Sequence, residues 1–272
     1  VSSIPKVQVI DRAVSLLEAL RTGPKTLAEL TRLTGLHKGT VYRILSSLQQ
    51  ANLVAKNPLN NEYSLGMGLV SLADAAIQHG GFLQPVLDGP TERLWRETLE
   101  TVTVHAAVGN ERVCVYERVS PHALRYSAGL GVRVPLNSGS AGKVLLAFLP
   151  DEERARRLRA LPMVKVTERT LTDREELERV LAEVRQQGYA LSFGERAAGA
   201  AAVSVPVRLA SGGRVDCIAL SVLGPDSRLT RDVLVGLVPR LQEAAREIES
   251  AWQAYAGEQA VRGGGASWPS GS

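Results

Sequence analysis

The chain has 272 residues, 44% hydrophobic and 22% charged, which is enough for two domains of ordinary size; aromatics make up only 4%. Two cysteines, Cys114 and Cys217, cannot build a disulfide framework or a cysteine-rich zinc site. No apolar run reaches the roughly eighteen residues of a membrane span and no signal-peptide-like stretch opens the chain, so a cytoplasmic protein with reduced thiols is expected.

The net charge of +4 is unevenly placed: residues 1–65 hold eight Lys/Arg against four acids, and the remainder is formally neutral. This is the polarity that a phosphate-binding module needs. Within that segment, apolar residues at helical spacing (Ile10, Ala13, Val14, Leu17, Leu20) predict a helix over 9–20, stopped by Gly23-Pro24. Thr26 and Glu29 form a capping-box signature for a helix over 27–33, and Gly35 follows as the turn glycine. A further helix is predicted over 37–50, with Val41, Ile44, Leu45 and Leu48 as its buried stripe. Leu53-Val54 and Tyr63–Leu65 flank a turn-rich KNPLNNE segment, which reads as a hairpin. Helix, turn, helix, hairpin is the order of a winged helix-turn-helix, whose second helix is shaped for the DNA major groove.

With the stripe buried, the opposite face of the 37–50 helix presents His37, Lys38, Thr40, Tyr42, Arg43, Ser46 and Ser47. Arg43 is the candidate for a bidentate contact to guanine, Thr40 for a thymine methyl or a phosphate, and Lys38 for a phosphate. In the hairpin, Lys56, Asn57 and Asn60 are placed to reach the adjacent DNA backbone or minor groove, although turn chemistry explains the asparagines equally well.

Beyond the hairpin, 66–79 is helical in pattern and broken by Gly80-Gly81, the form of a linker, and another helix is predicted over 82–99. TVTVHAAV and RVCVYERV are alternating runs joined by Gly109-Asn110, a strong hairpin signal. A short strand is expected at 124–127, then the loop Gly129-Leu130-Gly131. Helices are expected over 141–148, 151–161 and 173–187, strands over 189–193, 203–208 and 215–223, and a long closing helix over 230–255. The Gly/Ser-rich remainder, 257–272, is expected to be disordered. The fold class is therefore α+β, with a mixed or antiparallel sheet in the larger domain. The domain reading is 7–65 for DNA binding, 66–81 as linker helix, and 82–256 as a second domain.

Four segments together resemble the isocitrate-lyase-regulator (IclR) family of bacterial transcription factors: TGLHKGTVYRILSSL with YSLG, GVRVPLNSGSAGKVLLAFLP at 131–150, GYALSFGERAAGAAAVSVPV at 188–207, and ALSVLGPDSRLT at 219–230. The resemblance implies a winged helix domain, a linker helix, a GAF-like effector-binding domain, and dimers or tetramers on a palindromic operator. It places an effector site at Gly129, Asn137, Ser140, Ala141, Ser192, Ala202, Ser204, Ser221 and Leu223. Departures from the family pattern stand at four of these: Asn137 for a histidine, Ser192 for an aspartate, Ala202 for a cysteine, and Leu223 where some members have serine. A pocket with fewer acidic groups suits a larger, partly apolar carboxylate such as an aromatic acid. The helix opening at Ser140-Ala141-Gly142 offers backbone N–H groups to its carboxylate.

Competing function classes find less support. Ser140-Ala141-Gly142-Lys143 matches S-x-x-K, the serine–lysine pair of penicillin-binding enzymes, without a downstream K-T-G. The 139–143 segment is too short for a phosphate-binding P-loop. The four histidines, at 37, 79, 105 and 122, are scattered, with no metal-ligand spacing, and His105 reads as a satisfied core residue. Neither metal nor cofactor is expected. An enzyme with an appended DNA-binding domain and a constitutive DNA binder without effector remain as alternatives.

Overall fold

The computed structural model describes residues 7–78, 84–211 and 214–261, and the chain divides into two units, 1–81 and 82–272. In the first unit, α1 (Gln8–Leu20), α2 (Leu27–Thr34) and α3 (Lys38–Gln50) precede a hairpin of β1 (Val54–Lys56) and β2 (Tyr63–Leu65). The Thr26–Glu29 capping box is formed in both directions, and Gly35 ends α2 in the left-handed region at φ 65°. One apolar cluster holds the unit together: Leu16, Leu20, Leu30, the α3 stripe Val41, Ile44, Leu45 and Leu48, and Val54 and Tyr63 from the hairpin. Lys25 exchanges both backbone hydrogen bonds with Tyr63, adding a third short strand position that the sequence pattern did not suggest. α4 (Gly68–Gln78) falls within the expected linker helix, whose Gly80-Gly81 break lies outside the described residues.

The second unit runs α5 (Gln84–Thr98), β3 (Thr101–Val108), β4 (Glu111–Arg118), β5 (Arg133–Pro135), α6 (Gly139–Ala147), α7 (Asp151–Ala160), α8 (Arg174–Gln187), β6 (Ala190–Phe193), β7 (Ala200–Ser211), β8 (Arg214–Pro225) and α9 (Arg231–Val261). Its six strands form one sheet in the order β5-β4-β3-β8-β7-β6, with every neighbouring pair antiparallel. The strand expected at 124–127 is absent. That segment is held instead by side chains, Thr101 Oγ1 donating to the Tyr126 carbonyl and Glu117 accepting from Ser127 and the Ala128 and Gly129 amides; β5 takes the sheet edge. α9 continues through 257–261, where a structureless tail was expected. A lone glycine costs a helix only about 1 kcal/mol, and its neighbours are good helix formers.

Strand alternation gives the sheet two different faces. Val102, Val104 and Ala106 of β3, Ile218, Leu220 and Val222 of β8, and Val203, Val205 and Val207 of β7 form an apolar face, which joins Val86, Leu87 and Leu94 of α5 and Leu234, Leu241, Ile248 and Trp252 of α9 in one core. The opposite face carries Thr103 and His105 of β3, Ser221 of β8, Ser204 of β7 and Ser192 of β6, and α6 lies against it with all nine of its residues buried.

A bulge in β4 decides what else reaches this polar face. Val104 pairs with Tyr116, but His105 pairs with Cys114, leaving Val115 as the extra residue. Strict alternation of RVCVYER would put Arg112, Cys114, Tyr116 and Arg118 on a single face. The bulge divides them. Tyr116 stays on the helix side, its hydroxyl bonding Thr91 and Asp88 of α5, while Arg112 and Cys114 turn to the side of His105.

Close approach of α6 to the chain before it depends on Gly142. A Cβ there would lie 2.2 Å from the Leu136 carbonyl oxygen, which is backbone and cannot swing aside. Gly142→Ala is expected to destabilise the protein by about 2–3 kcal/mol, the usual cost of overpacking. Thermal denaturation within 1 °C of wild type would contradict that packing.

Candidate functional site

On the first unit, the exposed face of α3 presents Lys38, Tyr42 and Arg43 fully, and Thr40 and Ser46 partly. Val41, Ile44, Leu45 and Leu48 face inward, so the exposed and buried sets separate as helical spacing requires. His37 is exposed at the N-cap of α3, and its Nδ1 accepts from the Gly39 amide at 3.3 Å. Ser47 donates back to the Arg43 carbonyl. Lys56 is exposed on the hairpin, its Nζ 5.7 Å from the Tyr63 ring centroid. Asn57 and Asn60 accept backbone amides of Leu59 and Glu62, which is turn chemistry.

In the second unit a cavity of about 250 Å³ lies between the polar sheet face and the N-terminus of α6. Of the expected positions, Ser140, Ala141, Ser192, Ala202, Ser221 and Leu223 line it. Three do not. Asn137 is fully buried and turned away, its Nδ2 donating to the Val164 and Leu171 carbonyls, so it pins the 164–171 segment. Gly129, at φ 79°, serves the turn, and its amide donates to Glu117. Ser204 lies one layer beneath the lining, bonded to Ser140 and Ser221 at 2.7 Å each in a chain of three buried hydroxyls.

The cavity also has lining that sequence reasoning missed: Thr103, His105, Arg112, Tyr126 and Arg196. Arg112 is 4% exposed and, among the described residues, its guanidinium has no carboxylate partner and only one hydrogen bond, a 3.4 Å contact from Nε to the Ser138 carbonyl. Burial, then the neighbouring Arg196 guanidinium, pull its pKa down to about 9, against weaker support from Cys114 and Glu195. At neutral pH it is still charged. Gly139, at φ 81°, makes room for it, since a Cβ there would sit 3.2 Å from the Arg112 Nη2.

Arg196 reaches the cavity from the segment after β6 and donates to the Ser127 and Ala128 carbonyls. Tyr126 closes the same side by donating to the Ala198 carbonyl at 2.6 Å. His105 is held neutral, its pKa well below the ordinary value because of burial first and Arg112 second. Its Nδ1, like the Thr103 hydroxyl, is buried with no hydrogen-bond partner. Each such group costs about 1–3 kcal/mol.

The N-terminus of α6 is not wholly open. Glu195 accepts the Gly139 amide at 3.0 Å and pairs with Lys143 at 2.5 Å, both side chains at least nine-tenths buried. Lys143 also donates to the Leu191 carbonyl. The S-x-x-K pair is therefore not assembled: Ser140 bonds a serine and Lys143 a carboxylate. Among the described residues no cluster of three His, Cys, Asp or Glu could hold a metal ion, and no helix is long and apolar enough to cross a membrane.

Residues 82–250 match the family described as bacterial transcriptional regulator IclR C-terminal, and residues 9–58 match the IclR helix-turn-helix domain. The chain belongs to the IclR family of transcriptional regulators. As an IclR-family protein it is 33% identical to the probable transcriptional regulator SauR of Cupriavidus necator, covering 87% of this chain and 94% of the relative. Among solved structures, an IclR-family regulator from Brucella abortus is similar with a TM-score of 0.77, 25% identity and coverage of 90% and 93%. An IclR homologue from Microbacterium hydrocarbonoxydans, solved with 4-hydroxybenzoate, has a TM-score of 0.68 and 27% identity, covering 90% of this chain and 99% of that one. The IclR helix-turn-helix and the antiparallel α+β second unit thus agree with the expected fold.

Proposed function

We propose that this IclR-family regulator binds a palindromic operator as a dimer or tetramer and is switched by a small carboxylate held in the Arg112 cavity. The observation that carries the effector half is Arg112: a charged guanidinium, buried beside a second one and at the positive end of α6, without a carboxylate of its own. A ligand carboxylate supplies the missing charge. Binding it favours whichever arrangement of the protein holds it better, and only that differential affinity can change operator binding. Ala141, Ala197, Ala200, Ala201, Ala202 and Leu223 give the cavity an apolar side, which suits an aromatic or branched acid. The 4-hydroxybenzoate bound to the Microbacterium homologue is in keeping with that class.

On the DNA side, α3 carries the reading groups, with Arg43 for a base edge and Lys38 for phosphate. Fluorescence anisotropy on promoter fragments next to the gene, with and without carboxylates, tests both halves. Arg43→Ala is expected to weaken operator binding by about 1–3 kcal/mol and relax one base preference, while Lys38→Ala lowers the salt slope by about 1. Equal affinity of wild type for operator and random DNA would reject the DNA half. Operator affinity unmoved by every acid that binds the cavity would reject the switch.

A further inference from the structure

We infer that the side chains of Tyr126 and Arg196 form a gate through which the effector enters and leaves the cavity, with the Tyr126 hydroxyl as its latch. This rests on the reading that the cavity holds an effector, and it is carried by the mouth of the cavity rather than its interior. Thr103, His105, Arg112, Ser140 and Ser192 line the cavity from buried positions. Apart from Ala202, the lining that keeps access to solvent is Tyr126 and Ser127 on one side and Arg196, Ala197 and Ala200 on the other. The mouth therefore lies between these two segments.

The backbone of each lip is anchored from behind. Thr101 Oγ1 donates to the Tyr126 carbonyl, and Glu117 accepts from the Ser127 hydroxyl and the Ala128 and Gly129 amides. On the other lip the Gly194 amide donates to the Ala200 carbonyl, and the Gly199 carbonyl accepts from the Asp226 amide. The remaining walls are no freer, because the sheet is held by its ladders and α6 is seated against the Leu136 carbonyl at Gly142. What spans the mouth is side chains: the Tyr126 hydroxyl donates to the Ala198 carbonyl at 2.6 Å, and Arg196 donates back to the Ser127 and Ala128 carbonyls. Gly199 makes the closed position possible, since a Cβ there would lie 2.9 Å from the Tyr126 hydroxyl. Swinging the ring outward breaks one solvent-exposed hydrogen bond and moves no backbone. Exposed side chains change rotamer far faster than ligands exchange, so entry and exit rates both scale with the open fraction.

Thiol labelling of the full chain tests the gate without any acid. A Ser192→Cys substitution puts a near-isosteric thiol in the buried lining, and the native Cys217, which does not line the cavity, is the internal reference. Methyl methanethiosulfonate is the probe, and mass spectrometry assigns the labelled site. Added to this reporter protein, Tyr126→Phe deletes the latch hydrogen bond and keeps the ring, and is expected to speed labelling at residue 192 about fivefold. Gly199→Ala pushes the hydroxyl off its acceptor from a position outside the lining and is expected to do the same. Cys217 labels at an unchanged rate in both. The two variants act on one bond from opposite lips, so either decides the matter if the other does not fold. A residue-192 rate within about twofold of the reporter protein in a folded variant, or equal acceleration at Cys217, would overturn the gate. For any acid that titration shows to bind, stopped-flow association and dissociation rates should rise together in Gly199→Ala; a rise in dissociation alone would mean a weakened site rather than an opened one and would also overturn it. Failure of every acid to bind would remove the effector reading, while the labelling rates still decide whether Tyr126 closes the cavity.

Discussion

Lys143→Met is expected to cost the protein about 3–5 kcal/mol, because it leaves the Glu195 carboxylate buried without its cation. For a unit of this size that is a fall in Tm of roughly 6–20 °C. Glu195 cannot simply turn toward water. Its backbone carbonyl accepts from the Ser138, Thr167 and Thr170 hydroxyls, and its other carboxylate oxygen holds the Gly139 amide. Adding Glu195→Gln to Lys143→Met removes the charge and keeps an acceptor for that amide, so the double variant is expected to recover at least half of the loss. Thermal denaturation of the two single variants and the double completes the cycle. A single-variant loss under about 1 kcal/mol, or a double loss equal to the sum, would mean that the pair is not coupled as its geometry implies.

Arg112→Met separates binding from stability in the opposite direction. Removing the cation that a buried carboxylate needs should weaken binding of aromatic acids by about 2–4 kcal/mol, roughly thirty- to a thousand-fold. The unliganded protein should be no less stable than wild type, since a buried guanidinium with no carboxylate of its own opposes folding. The pH dependence follows from the lowered pKa. Below about pH 9 Arg112 is charged in both folded and unfolded chains and its burial penalty is complete. Between about 9 and the ordinary value of 12.5 the folded chain sheds the proton first, so this group's contribution to stability rises with pH. Carboxylate affinity moves the other way and should fall about tenfold per pH unit above about 9. Titration calorimetry from pH 7 to 10 checks the affinity and thermal denaturation above pH 9 the stability, and an Arg112→Met protein that keeps the wild-type pH profile of binding would exclude Arg112 as the anchor.

These two residues show how unevenly the site was legible. Lys143 lies inside a recognisable motif, but S-x-x-K pointed to a serine neighbour, and its actual partner is Glu195, fifty-two residues away. Arg112 gave no signal, because the alternation of RVCVYER assigns it to the face of Tyr116. One bulged residue, Val115, reverses that assignment. Asn137 erred the other way: its place in the motif suggested a ligand contact, whereas its amide ties down a neighbouring segment.

Local chemistry determined much of this protein without help from the fold. The Thr26–Glu29 box, the left-handed Gly35 and the Val41–Ile44–Leu45–Leu48 stripe act within a few residues of one another. The first helices, their turn and the exposed face of α3 could therefore be read directly. The 102–118 hairpin and most of the helices were accessible for the same reason. What the tertiary structure alone decided is which charged and unpaired groups join the expected small residues in the cavity, Arg112, Arg196, Thr103 and His105 among them. Strand register, the β4 bulge and the approach of α6 set which side chains share a face, and these depend on contacts between segments more than a hundred residues apart, such as Thr103 with Ser221. Whether a buried arginine, histidine or threonine has a partner is a property of that assembled space, and no period in the sequence encodes it.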